Sequence, residues 1–104
     1  MDIVYASLKR RHPGAAAEAN EAAEAVDALW AHAQPADGLQ HASAQPTYDR
    51  IDLLLYLLSR DPSDQPDAVG RAHSLISRSH RTSPLLSHRY LSPEPPVAAD
   101  RTAG

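Results

Sequence analysis

Large apolar residues cluster mainly at 26 to 30, 51 to 58, 69 to 76 and 85 to 91. After the break at His12-Pro13-Gly14, residues 15 to 33 are helix formers without interruption until Gln34-Pro35. Val26, Leu29, Trp30 and Ala33 recur at i, i+3, i+4 and i+7, with Ala22 and Ala19 continuing the stripe backwards and Glu18, Glu21 and Glu24 on other faces. That spacing predicts a first helix over 15–33 with Trp30 as the anchor of a narrow, mostly small seam.

Pro35 to Gln45 contains Gly38 and lacks a period, so it reads as a loop with Leu39 as its one candidate for burial. Pro46 suits a first helical turn, and Tyr48, Ile51, Leu54, Leu55 and Leu58 trace a helical stripe that Leu53 and Leu57 widen almost all round. This predicts a second helix over 47–60, ended by Asp61-Pro62 and either central to the domain or shared with a second chain. Asp64-Gln65-Pro66-Asp67 offers a cap, and Val69, Ala72, Leu75 and Ile76 then repeat at helical spacing, a third helix over 65–80. Ser83-Pro84 repeats the cap-then-proline signal for a short fourth over 84–91.

The expected fold is therefore all-α: a small bundle of three main helices and a short fourth within one domain, 1–92, preceded by a segment over 1–13. A disordered Pro-rich tail is expected over 93–104, where apolar periodicity is lost.

Composition narrows the function more than it names it. Much of the 42% hydrophobic content is alanine and there is no Phe, so the core is small and a second copy or another partner is a natural source of further burial. Without cysteine, disulfides and thiolate metal sites are excluded. The longest apolar run, Leu53 to Leu58, is far too short for a bilayer, and the start of the chain lacks a signal-peptide pattern. No membrane partner is expected, and the cytoplasm is the expected location.

The formal charge of −3 averages unlike blocks. Residues 12 to 49 carry six carboxylates and no Lys or Arg, whereas Arg71, Arg78, Arg81 and Arg89 follow one another with no carboxylate between Asp67 and Glu94. A basic ridge of this kind reads an acidic protein surface, the chain's own first helix included, or a phosphate backbone. The acidic first half argues against nucleic acid, which ranks behind protein.

Complete catalytic and metal signatures are absent. His73, His80 and His88 are spaced by seven and eight, about two helical turns, too far to share one ion within a helix. No nucleophile elbow accompanies the Ser, His and Asp residues. Ile3 to Leu8, IVYASL, resembles the inhibitory tyrosine motif of immune receptors over those six residues. Without a membrane span the plainer reading of Ile3, Val4, Tyr5 and Leu8 is a short packing segment, extended or helical. Arg81 and His88 resemble in spacing the Arg-x6-His motif of HEPN-type helical RNases, in which the pair shares one continuous helix; here Thr82-Ser83-Pro84 interrupts it.

The reading of the residues is a non-catalytic protein-binding or regulatory module, with no cofactor and no metal. Trp30, Leu53, Leu57 and Leu58 are its candidate apolar anchors, and Arg71, Arg78, Arg81 and Arg89 supply orientation. The expected partner is a protein with an acidic or apolar surface, a homodimer included. The alternatives are a small nucleic-acid-binding regulator and an accessory subunit of a partner enzyme.

Overall fold

A computed structural model describes residues 1–13, 20–59, 67–94 and 97–98. In chain order these form strand β1 (Asp2–Lys9), helix α1 (Glu21–His32), a 3-10 turn (Pro35–Asp37), strands β2 (Leu39–Pro46) and β3 (Arg50–Leu57), helices α2 (Ala68–Thr82) and α3 (Pro84–Arg89), and the two-residue strand β4 (Val97–Ala98). The expected all-α helical bundle is overturned: the chain folds around an antiparallel sheet in the order β2-β3-β1-β4. This is the split βαβ arrangement, in which the strands joined through each helical crossover are separated by another strand.

The second predicted helix is the source of the error. Leu53 to Leu58 is a continuous apolar run, which suits a buried helix and a central strand equally well. Position in the sheet decides the matter: β3 pairs with β2 on one side and β1 on the other, so its backbone is satisfied by neighbours and both its faces are partly screened. Ile51, Leu53, Leu55 and Leu57 point into the core, while Arg50, Asp52, Leu54 and Tyr56 point the other way. Thr47 to Arg50, expected as the helix start, is the hairpin turn instead, closed by Thr47 N–H to the Arg50 carbonyl at 2.7 Å and by Arg50 N–H to Thr47 Oγ1 at 3.3 Å. The predicted loop before it forms β2.

The N-terminal segment has the period of two that a half-buried strand requires, with Val4, Ala6 and Leu8 inside. Above the sheet, α1 buries Glu21, Ala25 and Leu29, a stripe rotated from the expected one, so that Trp30 is 45% exposed. The rotation follows from Glu21, a charged residue drawn inward by an ion pair with Arg10. Asp67 caps α2 by accepting from Gly70 N–H at 2.8 Å, and Ala72, Leu75 and Ile76 complete the core with Leu86 and Tyr90. Ser83 separates α2 from α3 and caps the latter through Leu86 N–H.

The expected start of the first helix, the Asp61-Pro62 stop and most of the 93–104 tail lie outside the described residues. Val97 and Ala98, within that tail, pair with Tyr5 and Val4.

Candidate interaction face

The helices pack on one face of the sheet, and the strand alternation sends a second set of side chains to the other. Register arranges them in rows across β2, β3 and β1: His41, Tyr56 and Ile3; then Ser43, Leu54 and Tyr5; then Gln45, Asp52 and Ser7; and finally Arg50 beside Lys9. Ile3, Tyr5, Leu54 and Tyr56 are half-buried. His41 lies edge-on to Tyr56, with ring centroids 5.4 Å apart.

One end of this face is apolar and the other polar. Beyond the Ile3–Tyr56 row the same alternation continues to Met1 and Leu58, which are 65% and 47% exposed. Leu58 also borders an open hollow of about 330 Å³ lined by Trp30, Pro35 and Gly38, where the 3-10 turn ends in a left-handed glycine (φ 70°). A second hollow, about 320 Å³, lies between the middle rows and is lined by Tyr5, Ser43, Gln45, Asp52 and Leu54.

At the polar end the charges close on one another. Asp52 Oδ1 accepts from Arg50 Nε at 2.8 Å and Ser7 Oγ at 2.9 Å, Arg50 Nη1 also lies 3.2 Å from Asp49, and Lys9 Nζ lies 3.3 Å from Glu94. Burial pushes the Asp52 carboxyl up, but hydrogen bonds from Arg50, Tyr5 and Ser7 outweigh it and hold the group below the usual carboxylate range. The ionised acid is thus satisfied without an outside partner.

The residues singled out from sequence separate accordingly. Trp30 and Leu58 come together at the apolar end. Leu53 and Leu57 point into the core, 2% and 0% exposed, and hold the fold. The arginines do not form one ridge. Arg71 is buried and donates to the Asp37 carbonyl at 3.1 Å; Arg78 grips the Asp37 carboxylate at 3.0 and 3.2 Å and donates to the His32 carbonyl; Arg89 pairs with Glu24 of α1 at 3.1 Å. Arg81 alone of the four is exposed. Two carboxylates of the acidic front, Asp37 and Glu24, are thus paired with arginines of the basic back within one molecule.

His80 is buried with Nε2 3.0 Å from the Tyr90 carbonyl oxygen, and His88 is exposed. Arg81 and His88 lie on different helices, as the Thr82-Ser83-Pro84 break requires. Among the described residues no group of three or more His, Asp or Glu is placed to hold a metal ion, and no helix is long and apolar enough to cross a membrane. Tyr5 of the IVYASL stretch lies inside β1, paired on both sides.

Sequence reasoning missed Ile3, Tyr5, Leu54 and Tyr56 as a set. The signal was present in the alternation of Tyr5, Ser7 and Lys9 with Val4, Ala6 and Leu8, but its counterpart is about fifty residues away and only strand pairing joins them. No protein-family model, curated protein or solved structure matches this chain.

Proposed function

We propose that this protein is a non-catalytic interaction module whose open sheet face binds a protein surface that is apolar at its centre and carries little net charge. The observation that carries the reading is the apolar pair of rows, Ile3–Tyr56 and Tyr5–Leu54, left on the face opposite the helices. Fully burying a large apolar side chain is worth about 1.5–3 kcal/mol, and these four are already partly shielded, so the rows offer a few kcal/mol to a partner at most. An apolar centre with a polar margin is also how protein interfaces are built.

An acidic partner held by an arginine ridge is not supported, because Arg71, Arg78 and Arg89 are engaged internally. Tyr5 and Tyr56 on adjacent strands give single-stranded nucleic acid its best argument, since bases stack on aromatic side chains of open sheets. The net charge of −3 opposes a phosphate backbone, and the face's cations Arg50 and Lys9 are already paired with Asp52 and Glu94.

A photo-reactive phenylalanine analogue placed at Tyr56, and in a second protein at Arg81, tests the reading in the native cell. Crosslinking to protein from position 56 and not from 81 is expected. Crosslinks to nucleic acid from position 56, or protein crosslinks only from 81, would overturn it.

A further inference from the structure

Resting on that reading of the sheet face, we infer that its occupant is a second copy of the same chain, stacked sheet on sheet about a twofold axis. Three features of the face select this partner.

The first is charge. With Asp52 held by Arg50 and Ser7, and Lys9 by Glu94, the face presents no uncompensated field that a strongly acidic or basic partner would need to match. Two copies can approach it without like charges meeting in the middle. The net charge of −3 repels only weakly, being screened over about 8 Å at physiological salt.

The second is the distribution of polarity along the strands. A twofold axis running across the strands between the Ile3–Tyr56 and Tyr5–Leu54 rows lays each of these rows on the other in the second copy, sets Ser7 and Asp52 opposite Met1 and Leu58, and carries Arg50 and Lys9 to the rim. Such a contact uses the same patch on both partners, which is the requirement of a closed, isologous pair. Met1 and Leu58, exposed one row further on by the same alternation, extend the apolar end.

The third is the state of the sheet edges. β2 carries a register irregularity between Leu39 and His41 and ends in Pro46, a residue with no N–H to donate. The outer edge of β1 is occupied by Val97 and Ala98 at Tyr5 and Val4, and by Leu91 N–H to the Lys9 carbonyl at 2.8 Å. Bulges, proline and occupied backbone are the devices that stop sheets growing edge to edge. Self-association is directed to the face.

The size of the face sets the strength. Three eight-residue strands, at about 3.3 Å per residue and 4.8 Å between strands, make a patch roughly 26 by 14 Å. That is small beside the roughly 800 Å² per partner of a standard interface, so the pair is a weak, transient one.

Sedimentation velocity on the full chain, from low micromolar to near-millimolar protein, tests the inference. Wild type is expected to shift from monomer to dimer with concentration; Leu54→Lys, folded by circular dichroism, should weaken the dimer by about tenfold or more, since a charge is then buried in the apolar rows. Arg81→Ala should leave it unchanged. Wild type that stays monomeric throughout overturns self-pairing, and if position 56 still crosslinks to a different protein the interaction-face reading survives it. A dimer that Leu54→Lys leaves intact overturns self-pairing through this face.

Discussion

Arg10 and Glu21 form a two-pronged ion pair almost entirely withdrawn from solvent, with Nη1–Oε2 at 2.8 Å and Nη2–Oε1 at 2.9 Å. The same carboxylate accepts the Tyr90 hydroxyl, while Arg10 Nε donates to the Thr47 carbonyl at 2.8 Å and the guanidinium lies 5.9 Å from the centre of the Tyr90 ring. Four parts of the chain meet here: the residue after β1, the first turn of α1, the hairpin and the end of α3. Removing one member leaves a buried charge without its counter-ion. Glu21→Gln is therefore expected to cost about 3–5 kcal/mol, read as a lower urea midpoint with an unchanged denaturant slope. A loss under about 0.5 kcal/mol, the range of surface substitutions, would show that the pair holds nothing together.

The same carboxylate gives the fold an acid limit. Burial alone would raise the Glu21 carboxyl, but hydrogen bonds from Arg10 and Tyr90 outweigh it and hold the folded value below the ordinary 4.5. A group depressed in this way stabilises the fold above its unfolded value, and that contribution is lost as pH falls through the folded one. Asp52 acts in the same direction from the sheet face. Stability should stay level between neutral pH and about 5, then fall below about 4.5, with a shallower fall in Glu21→Gln. Urea midpoints measured across that range check it, and equal acid slopes for the two proteins would refute the assignment to Glu21.

The alternation along β3 makes a sharp contrast between neighbours. Leu55 is 0% exposed whereas Leu54 faces the open side. Leu55→Ala should cost about 2–5 kcal/mol and Leu54→Ala about 1 kcal/mol or less in dilute monomer, by thermal or urea unfolding. Equal costs would favour a segment apolar and buried all round.

What the sequence disclosed followed the range of the interactions involved. Asp67 and Ser83 cap helices through residues three positions on, and α2 and α3 were legible from such local chemistry. β1 and β3 were not, because Tyr5 meets Leu54 and Val4 meets Leu55 only through long-range pairing. Glu21 falls outside the predicted apolar stripe, since hydrophobic spacing carries no trace of Arg10 in another element. For the candidate site, Trp30 and Leu58 were found as large apolar residues, whereas Leu53 and Leu57 were chosen with them because a helical period cannot separate odd from even positions. The arginines were legible as a cluster, and their partners, Asp37 and Glu24, belong to the acidic stretch that the charge layout had set opposite them.

Arg78 and Arg81 distinguish an internal role from a recognition role. Arg78→Ala leaves the buried Asp37 carboxylate without its guanidinium and should cost about 1.5–3 kcal/mol, while Arg81→Ala should lie within about 0.5 kcal/mol of wild type. Unfolding curves for the two variants check this; equal stabilities would contradict the pairing.

The open sheet face as the contact surface is tested most directly by hydroxyl-radical footprinting of the intact protein over a concentration series, with oxidation read residue by residue by mass spectrometry. Tyr48, 74% exposed at the hairpin, serves as the internal reference. The account requires Tyr5 and Tyr56 to become protected as concentration rises while Tyr48 stays equally reactive. Unchanged reactivity at Tyr5 and Tyr56 across the whole series, or protection that falls on Tyr48 instead, would contradict it.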